Sequence, residues 1–504
     1  MAYTPIYLTE DDLFNNLPEK IGQVSLNYAH YSGKDLYSDG EIENTLLEIV
    51  KNHSKAEYQG IIEKRQSWPI LYHLSPIRGN IVDFLPITKE HKVLEIGSGC
   101  GAITDKLSEK AKSVTCVDLS AKRSMVNAYR NQDRDNIEIH VGNFSDIEPS
   151  LPTDFDFVCL IGVFEYGNSY ISSENPYEEF LNIILRHKKP DGRVIIAIEN
   201  KFGLKYWAGC MEDHNGEAYA SIEGYPKGGS ARTFTRPGLI KIFENCKVKD
   251  FHFYYPYPDY KLPNTIYSDK RLPVKGELTD NLRNLDRNRM MTFNENLVFD
   301  SIVEDNEFAL FSNSYLVVLG EDISTEYVKY SNERKPEYAL KTEILRDKGV
   351  LKVVKSALYP EGEMHIKKMQ DSYEKLQKRY EGSGLKINRV VYDENAKCAI
   401  FDYETGVTLE SLMDECVRKQ DKDGFKKLFD EYYEKISFDS GEVSITDNDL
   451  IFANILVDDK NWTVIDYEWT SDKTTENNIQ AFRAIYCYVL EDERRNRMPM
   501  DGIL

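Results

Sequence analysis

Two groups of residues have the types and spacing to do chemistry. In the first, Glu95 precedes Gly97, Gly99 and Gly101, and Asp118 follows. Glycines at every second position let a backbone turn sharply and come close to a ligand, since no side chain intervenes. A carboxylate at the end of the following strand can accept hydrogen bonds from both hydroxyls of a ribose. In the second, Asp449 and Asn454 are spaced D-x-x-x-x-N, and Asp466 and Glu468 follow a short hairpin. Such a set can orient a hydroxyl through Asp449 and hold Mg2+ on phosphates through Asn454 and Asp466.

The elements that must position the first group can be read around it. Val93 to Ile96 is a short apolar run, read as a buried strand, and Ala102 to Lys112 reads as a helix. Strand, glycine turn and helix form the first unit of a doubly wound sheet, where ligands bind at the carboxyl ends of strands. Ser113 to Val117 is the next strand. Dinucleotide sites read G-x-G-x-x-G; here the spacing is G-x-G-x-G behind an acidic residue, which suits a cation better than a pyrophosphate. Further strands are expected at Ile137 to Val141, Phe155 to Ile161 and Arg193 to Glu199, the last after a turn at Lys189 to Gly192. Asp250 to Tyr255 and Phe308 to Leu319 complete the set. Two stretches, 200–236 and 257–306, are too long for plain connections.

These stations resemble the class I S-adenosylmethionine-dependent methyltransferases. The resemblance implies a Rossmann-like α/β sheet with cap insertions. It also implies a cofactor site made by Glu95, Gly97, Gly99, Gly101, Asp118, Asn143, Phe144 and Ile161. Asn143 would meet the adenine edge and Phe144 its face, against the alternative that Phe144 is core. The methyl group would emerge beside Gly162 to Tyr166. A hydroxyl acceptor needs a base, for which His214 and Glu165 are the candidates. An anionic acceptor needs only cations to place it, such as Lys205, Lys227, Arg232 or Arg236.

After Gly320 the pattern restarts. Strands are expected at Glu326 to Tyr330 and Glu337 to Leu345, as a hairpin, and at Val350 to Ala357, Ile387 to Tyr392 and Cys398 to Tyr403, with helices at Gly362 to Tyr380, Thr408 to Lys419 and Gly424 to Ile436. This part resembles an α+β kinase-like domain of the aminoglycoside phosphotransferase type. That resemblance implies ATP and Mg2+, with Lys355 (or Lys352) pairing the phosphates, Glu363 or Glu374 as its helix partner, and Tyr403 at the adenine hinge. Asp447 stands where such kinases carry a histidine, and no glycine-rich loop lies between 326 and 345, where Ser331 to Arg334 is the only candidate turn. The expected organisation is a helical extension or lid at 1–80, a methyltransferase at 81–320 and the kinase-like domain at 321–504.

The order of the two parts resembles bifunctional methyltransferase–kinases that cap bacterial O-antigen polysaccharides. It implies a glycan acceptor or its phosphorylated terminus, with glycosyltransferases as partners. The alternatives are a methyltransferase whose second half is a binding scaffold, and a small-metabolite methyltransferase. Bulk properties narrow this further. Lys and Arg total 63 against 84 Asp and Glu, a net charge of −21, which argues against general nucleic-acid binding. The eight cysteines contain no C-x-x-C, as expected in a reducing cytoplasm. No apolar run reaches membrane-spanning length, leaving peripheral membrane attachment open. Glu491 to Arg497 reads as a solvated helix end.

Overall fold

The parallel strands form where the apolar runs predict them, and their order is that of a doubly wound sheet. The computed structural model describes residues 17–495, except 36, 39, 172, 282–290, 460 and 493. The chain divides into unit 1, Met1–Val328, and unit 2, Lys329–Leu504, a boundary slightly later than the restart after Gly320.

Unit 1 contains β1 (Lys20–Ile21), β2 (Val24–His30), β3 (Lys92–Ile96), β4 (Ser113–Asp118), β5 (Ile137–Gly142), β6 (Phe155–Ile161), β7 (Lys188–Glu199), β8 (Phe251–Tyr257), β9 (Thr265–Ser268) and β10 (Ser314–Leu319). They lie in the order β1-β2-β5-β4-β3-β6-β7-β10-β8-β9. From β2 to β7 the neighbours are parallel; β10 runs antiparallel between β7 and β8. The helices are α1 (Ile42–Asn52), α2 (Tyr58–Arg65), α3 (Trp68–Leu74), α4 (Ala102–Lys110), α5 (Ala121–Arg130), α6 (Pro176–Leu185), α7 (Arg236–Asn245) and α8 (Glu295–Glu304). Strand residues alternate between the two faces. Leu94 and Ile96 of β3 join Val158, Leu160, Phe180 and Ile184 in one core layer. Burying each such side chain contributes about 2 kcal/mol. Glu95, between them, faces the other layer, toward α4.

Three expectations change. The 1–80 segment is not only helical: Val24, Leu26 and Tyr28 alternate with polar residues, and β2 extends the sheet beside β5. Residues 1–16 of that segment lie outside the described residues. Lys189 to Gly192 is not a free turn but part of β7; Lys188 pairs with Phe155, the register shifts before Phe157, and Lys189 Nζ holds Asp156 Oδ1 at 2.6 Å. Phe308–Phe311 is a helical turn ahead of β10, because a short apolar run has no period that separates helix from strand. In the 257–306 insertion, β9 and α8 are described and 282–290 lie outside the described residues.

Unit 2 has an antiparallel sheet of Leu340–Asp347, Val350–Ala357, Cys398–Asp402 and Val390–Asp393 in that order. A second small sheet is built from Leu385–Ile387, Asn461–Val464, Ile455–Asp458 and Val407–Thr408. Helices Glu363–Arg379, Leu409–Lys419, Lys422–Ser437 and Asn477–Glu491 complete it around its own core, including Phe425, Tyr432, Phe452 and Tyr488. The expected solvated end at Glu491 to Arg497 is corrected in part. Arg495 is buried, 2.9 Å from Glu410 and 2.8 Å from Asp414, while 493, 496 and 497 lie outside the described residues. Among the described residues no helix is long and apolar enough to cross a membrane.

Candidate active site

The glycine turn between β3 and α4 is built from its backbone outward. Gly97, Gly99 and Gly101 all have positive φ, at 72°, 52° and 80°. Side chains are also excluded by space. A Cβ on Gly97 would lie 2.5 Å from Val163, and one on Gly101 2.3 Å from Asn127 Oδ1. Asp118 locks the turn: Gly99 N donates to its Oδ2 at 2.7 Å and Ser120 N to its Oδ1 at 3.0 Å. Glu95 buttresses from beneath. Its Oε2 accepts from Thr104 Oγ1 at 2.6 Å, and burial raises its pKa to about 7. Its carboxyl is therefore occupied by α4.

Asn143 caps the turn after β5, its Oδ1 accepting from Ser145 N at 3.1 Å. Phe144 is a core residue, 3% exposed and edge-on to Phe180 and His187; its apolar ring is worth more buried there than left at the surface. Ile161 ends β6 beside Gly162, whose φ is 73° and whose added Cβ would meet Tyr260 Oη at 2.6 Å. The N-terminal segment closes over the same edge. Asp35 accepts from Ser120 Oγ and Ala121 N, both at 2.7 Å, and so caps α5 directly after Asp118.

At the carboxyl ends of β6 and β7 lies a buried polar cluster. Tyr260 Oη reaches from Gly162 to Glu199 Oε1 at 3.2 Å. His214 Nε2 stands 3.5 Å from Glu199 Oε2 and 4.0 Å from Glu165 Oε1. Its Nδ1 meets Tyr166 Oη at 3.1 Å. Burial, with the charge of Glu199 beside it, raises the Glu165 carboxyl to about 8. Burial would push Glu199 up too, but Lys261 and His214 hold it well below the carboxylate range. Burial works against charge on His214, yet Glu199 and Glu165 raise it to about 9. Burial and neighbouring charge thus push the ionisation of these three groups apart.

Residues 94–196 match the family described as methyltransferase domain. This chain carries a class I S-adenosylmethionine-dependent methyltransferase domain. Over 273 residues the chain is 23% identical to ribosomal RNA small subunit methyltransferase A of Borrelia garinii subsp. bavariensis, covering 54% of this chain and 89% of that protein. Similar solved structures include a SAM-dependent methyltransferase from Archaeoglobus fulgidus, at 18% identity and TM-score 0.30, covering 52% of this chain and 99% of that one. Another is phosphoethanolamine N-methyltransferase 1 of Haemonchus contortus, at 19% identity and TM-score 0.28, covering 41% and 45%. The chain thus spans less than half the length of that enzyme.

In unit 1, the two base candidates read from sequence, His214 and Glu165, do come together. Glu199, Tyr260 and Lys261 were not singled out. The signal for Glu199 was present: like Asp118, it is a carboxylate ending an apolar strand at its carboxyl end. Tyr260 and Lys261 carried none, since only folding of the second insertion brings them in. Arg78 and Asn80 hold that loop, donating to Lys261 O and Pro263 O at 2.8 Å each. Of the expected cations, Lys205 is buried between Asp213 at 3.0 Å and Asp259 at 2.6 Å. Lys227 pairs with Glu217 and Arg236 with Asp269, both at 2.8 Å. Arg232 lies over the Tyr225 ring.

In unit 2, Lys355 rather than Lys352 is the buried lysine. Its Nζ is 2.9 Å from Asp466 Oδ1 and 3.8 Å from Glu468 Oε2, whereas Lys352 pairs with Asp347. The helix partner is neither Glu363, which pairs with Lys397, nor Glu374, which accepts from Gln370. Instead the helix brings His365 to Glu468 at 3.7 Å, and Arg334 bonds the same carboxylate at 2.7 Å. Asn454 Nδ2 donates to Asp449 O at 2.9 Å, and Ile465 N to Asn454 O at 3.0 Å, so Asn454 and Asp466 are neighbours. Arg483 takes up Asp449 Oδ1 at 2.9 Å. Tyr403 is partly exposed just after the strand Cys398–Asp402.

Proposed function

We propose that unit 1 transfers the methyl group of S-adenosylmethionine to a hydroxyl of a bacterial cell-surface glycan. The observation that carries this reading is the buried Glu165–Glu199–His214 cluster, contiguous with the glycine turn through Gly162 and Tyr260. A sulfonium methyl is already activated, so the enzyme must align it with the nucleophile and exclude water. Asp118 and the glycine turn hold the nucleoside end, and His214 is the catalytic candidate at the acceptor end. An anionic acceptor would meet two buried carboxylates, and both nearby lysines are already paired, Lys261 with Glu199 and Asp213 and Lys205 with Asp213 and Asp259. A neutral hydroxyl is therefore favoured over a phosphate. The test is isothermal titration with S-adenosylmethionine, followed by transfer of labelled methyl to neutral and phosphorylated glycans. Binding weakened at least tenfold in Asp118→Ala, and label on the neutral glycan lost in His214→Ala, support the reading. Label only on the phosphorylated glycan, or only on small amines, overturns the acceptor class.

A second reading concerns unit 2. The ion pair of buried Lys355 with Asp466, beside Asn454, supports binding of ATP with Mg2+. Asp449 would orient the acceptor hydroxyl once Arg483 is displaced from it. Titration with ATP and Mg2+ should show binding that Asp466→Ala abolishes. No binding to the parent makes unit 2 a scaffold.

A further inference from the structure

Glu165, Glu199 and His214 come from three places: the turn after β6, the end of β7 and the first insertion. One donor atom from each lies within 4.8 Å of the others. Glu165 is 1% exposed and Glu199 fully buried. Yet neither oxygen of Glu165, nor Glu199 Oε2, nor His214 Nε2 has a hydrogen-bond partner. These buried polar atoms have only the longer ion-pair contacts of His214 Nε2, at 3.5 and 4.0 Å, and their lack of hydrogen bonds is costly, since each forfeits its solvation.

The other polar atoms of Glu199 and His214 are engaged. Glu199 Oε1 accepts from Tyr260 and Lys261. His214 Nδ1 is held by Tyr166, which leaves Nε2 as the coordinating nitrogen. Glu212 Oε2 fixes the loop, accepting from His214 N and Asn215 N at 2.8 Å each. Among the described residues the wider cluster has carboxyl groups at Glu165, Glu199, Glu212, Asp213 and Asp259 against the basic groups Lys205, Lys261 and His214, so acids outnumber bases. Two carboxylates and an imidazole are a donor set for a first-row divalent cation. With bonds of about 2.0–2.2 Å the donors must lie within about 4.4 Å of one another. The His214 contacts at 3.5 and 4.0 Å already do.

We propose that Glu165, Glu199 and His214 bind a divalent cation that holds the acceptor hydroxyl of the methyl transfer. The acceptor part rests on the methyltransferase reading above; cation binding does not. On coordination the hydroxyl releases its proton to solvent. Its oxygen then bonds the methyl carbon as the carbon–sulfur bond breaks, and that electron pair stays on sulfur, giving S-adenosylhomocysteine. His214 acts as a ligand here and not as the base.

The experiment uses the full chain, stripped with chelator and dialysed, without nucleotide. Mn2+ is titrated and the free ion is read by its electron paramagnetic resonance. S-adenosylmethionine binding is measured on every variant as the control for folding. The expected result is one Mn2+ bound per chain, with affinity reduced at least tenfold in Glu199→Gln and in His214→Asn. Methyl transfer should fall with chelator and return with Mn2+. No uptake by the parent overturns the proposal and leaves a protonated His214 bridging two carboxylates. Parent-like uptake in both variants, with S-adenosylmethionine still bound, also overturns it. If Mn2+ binds as expected but S-adenosylmethionine does not, the methyltransferase reading fails and the cation site stands.

Discussion

Glu95 shows how a single side chain can be placed correctly and still serve differently from what its position implied. The sequence puts an acidic residue before the glycines, as a site for a positively charged cofactor would want. In the fold its carboxyl is buried under the turn and bonded to Thr104. Burial raises its pKa from 4.5 to about 7. The folded chain thus holds this proton more tightly than the unfolded chain. The stability this contributes is fully present below pH 4.5 and is lost as pH rises through 7, on the order of 3 kcal/mol in all. Glu95→Gln mimics the neutral acid, so its melting temperature should gain on the parent's between pH 5 and pH 8. A difference constant across that range would mean that Glu95 is not the group responsible.

At the scale of elements, the site depends on how tightly β3, β4 and the first turns of α4 and α5 are joined. Gly101 has φ of 80° and no room for a Cβ beside Asn127. Gly101→Ala should therefore cost about 1–3 kcal/mol of stability and weaken S-adenosylmethionine binding together. Denaturant unfolding and titration calorimetry check both; unchanged stability would mean that the turn adopts another shape. Asp35 acts from outside this unit of structure, yet it caps α5 through Ser120 Oγ and Ala121 N. Asp35→Ala should lose about 1 kcal/mol, as other caps do. An equal loss in Asp35→Asn, which keeps an acceptor, would show that charge and not the hydrogen bond is responsible.

For the whole molecule, charge is the property that acts at a distance. A net charge of −21 repels polyanions. The relative from Borrelia is named for ribosomal RNA, which gives this expectation a direct check. Gel-shift titration with ribosomal RNA fragments should show no saturable binding at physiological salt, and no salt-dependent tightening on dilution. A steep salt dependence would reveal a basic surface that the net charge conceals.

The sequence by itself determined the order of β3 to β7, the glycine turn, Asp118, and the positions of Asn454 and Asp466, while leaving Lys355 and Lys352 as alternatives. These are local properties: strand period, positive-φ glycines and fixed spacings survive in a single stretch of chain. It also named His214 and Glu165, though not as partners. Only the tertiary structure decided that Glu199, Tyr260 and Lys261 join them, that Phe144 is core, and that Val24–His30 enters the sheet. It likewise decided that His365, not a glutamate, reaches Glu468. In each case the deciding contact joins residues distant in sequence, and the free energy of burying and pairing them arises only when the chain has closed those loops.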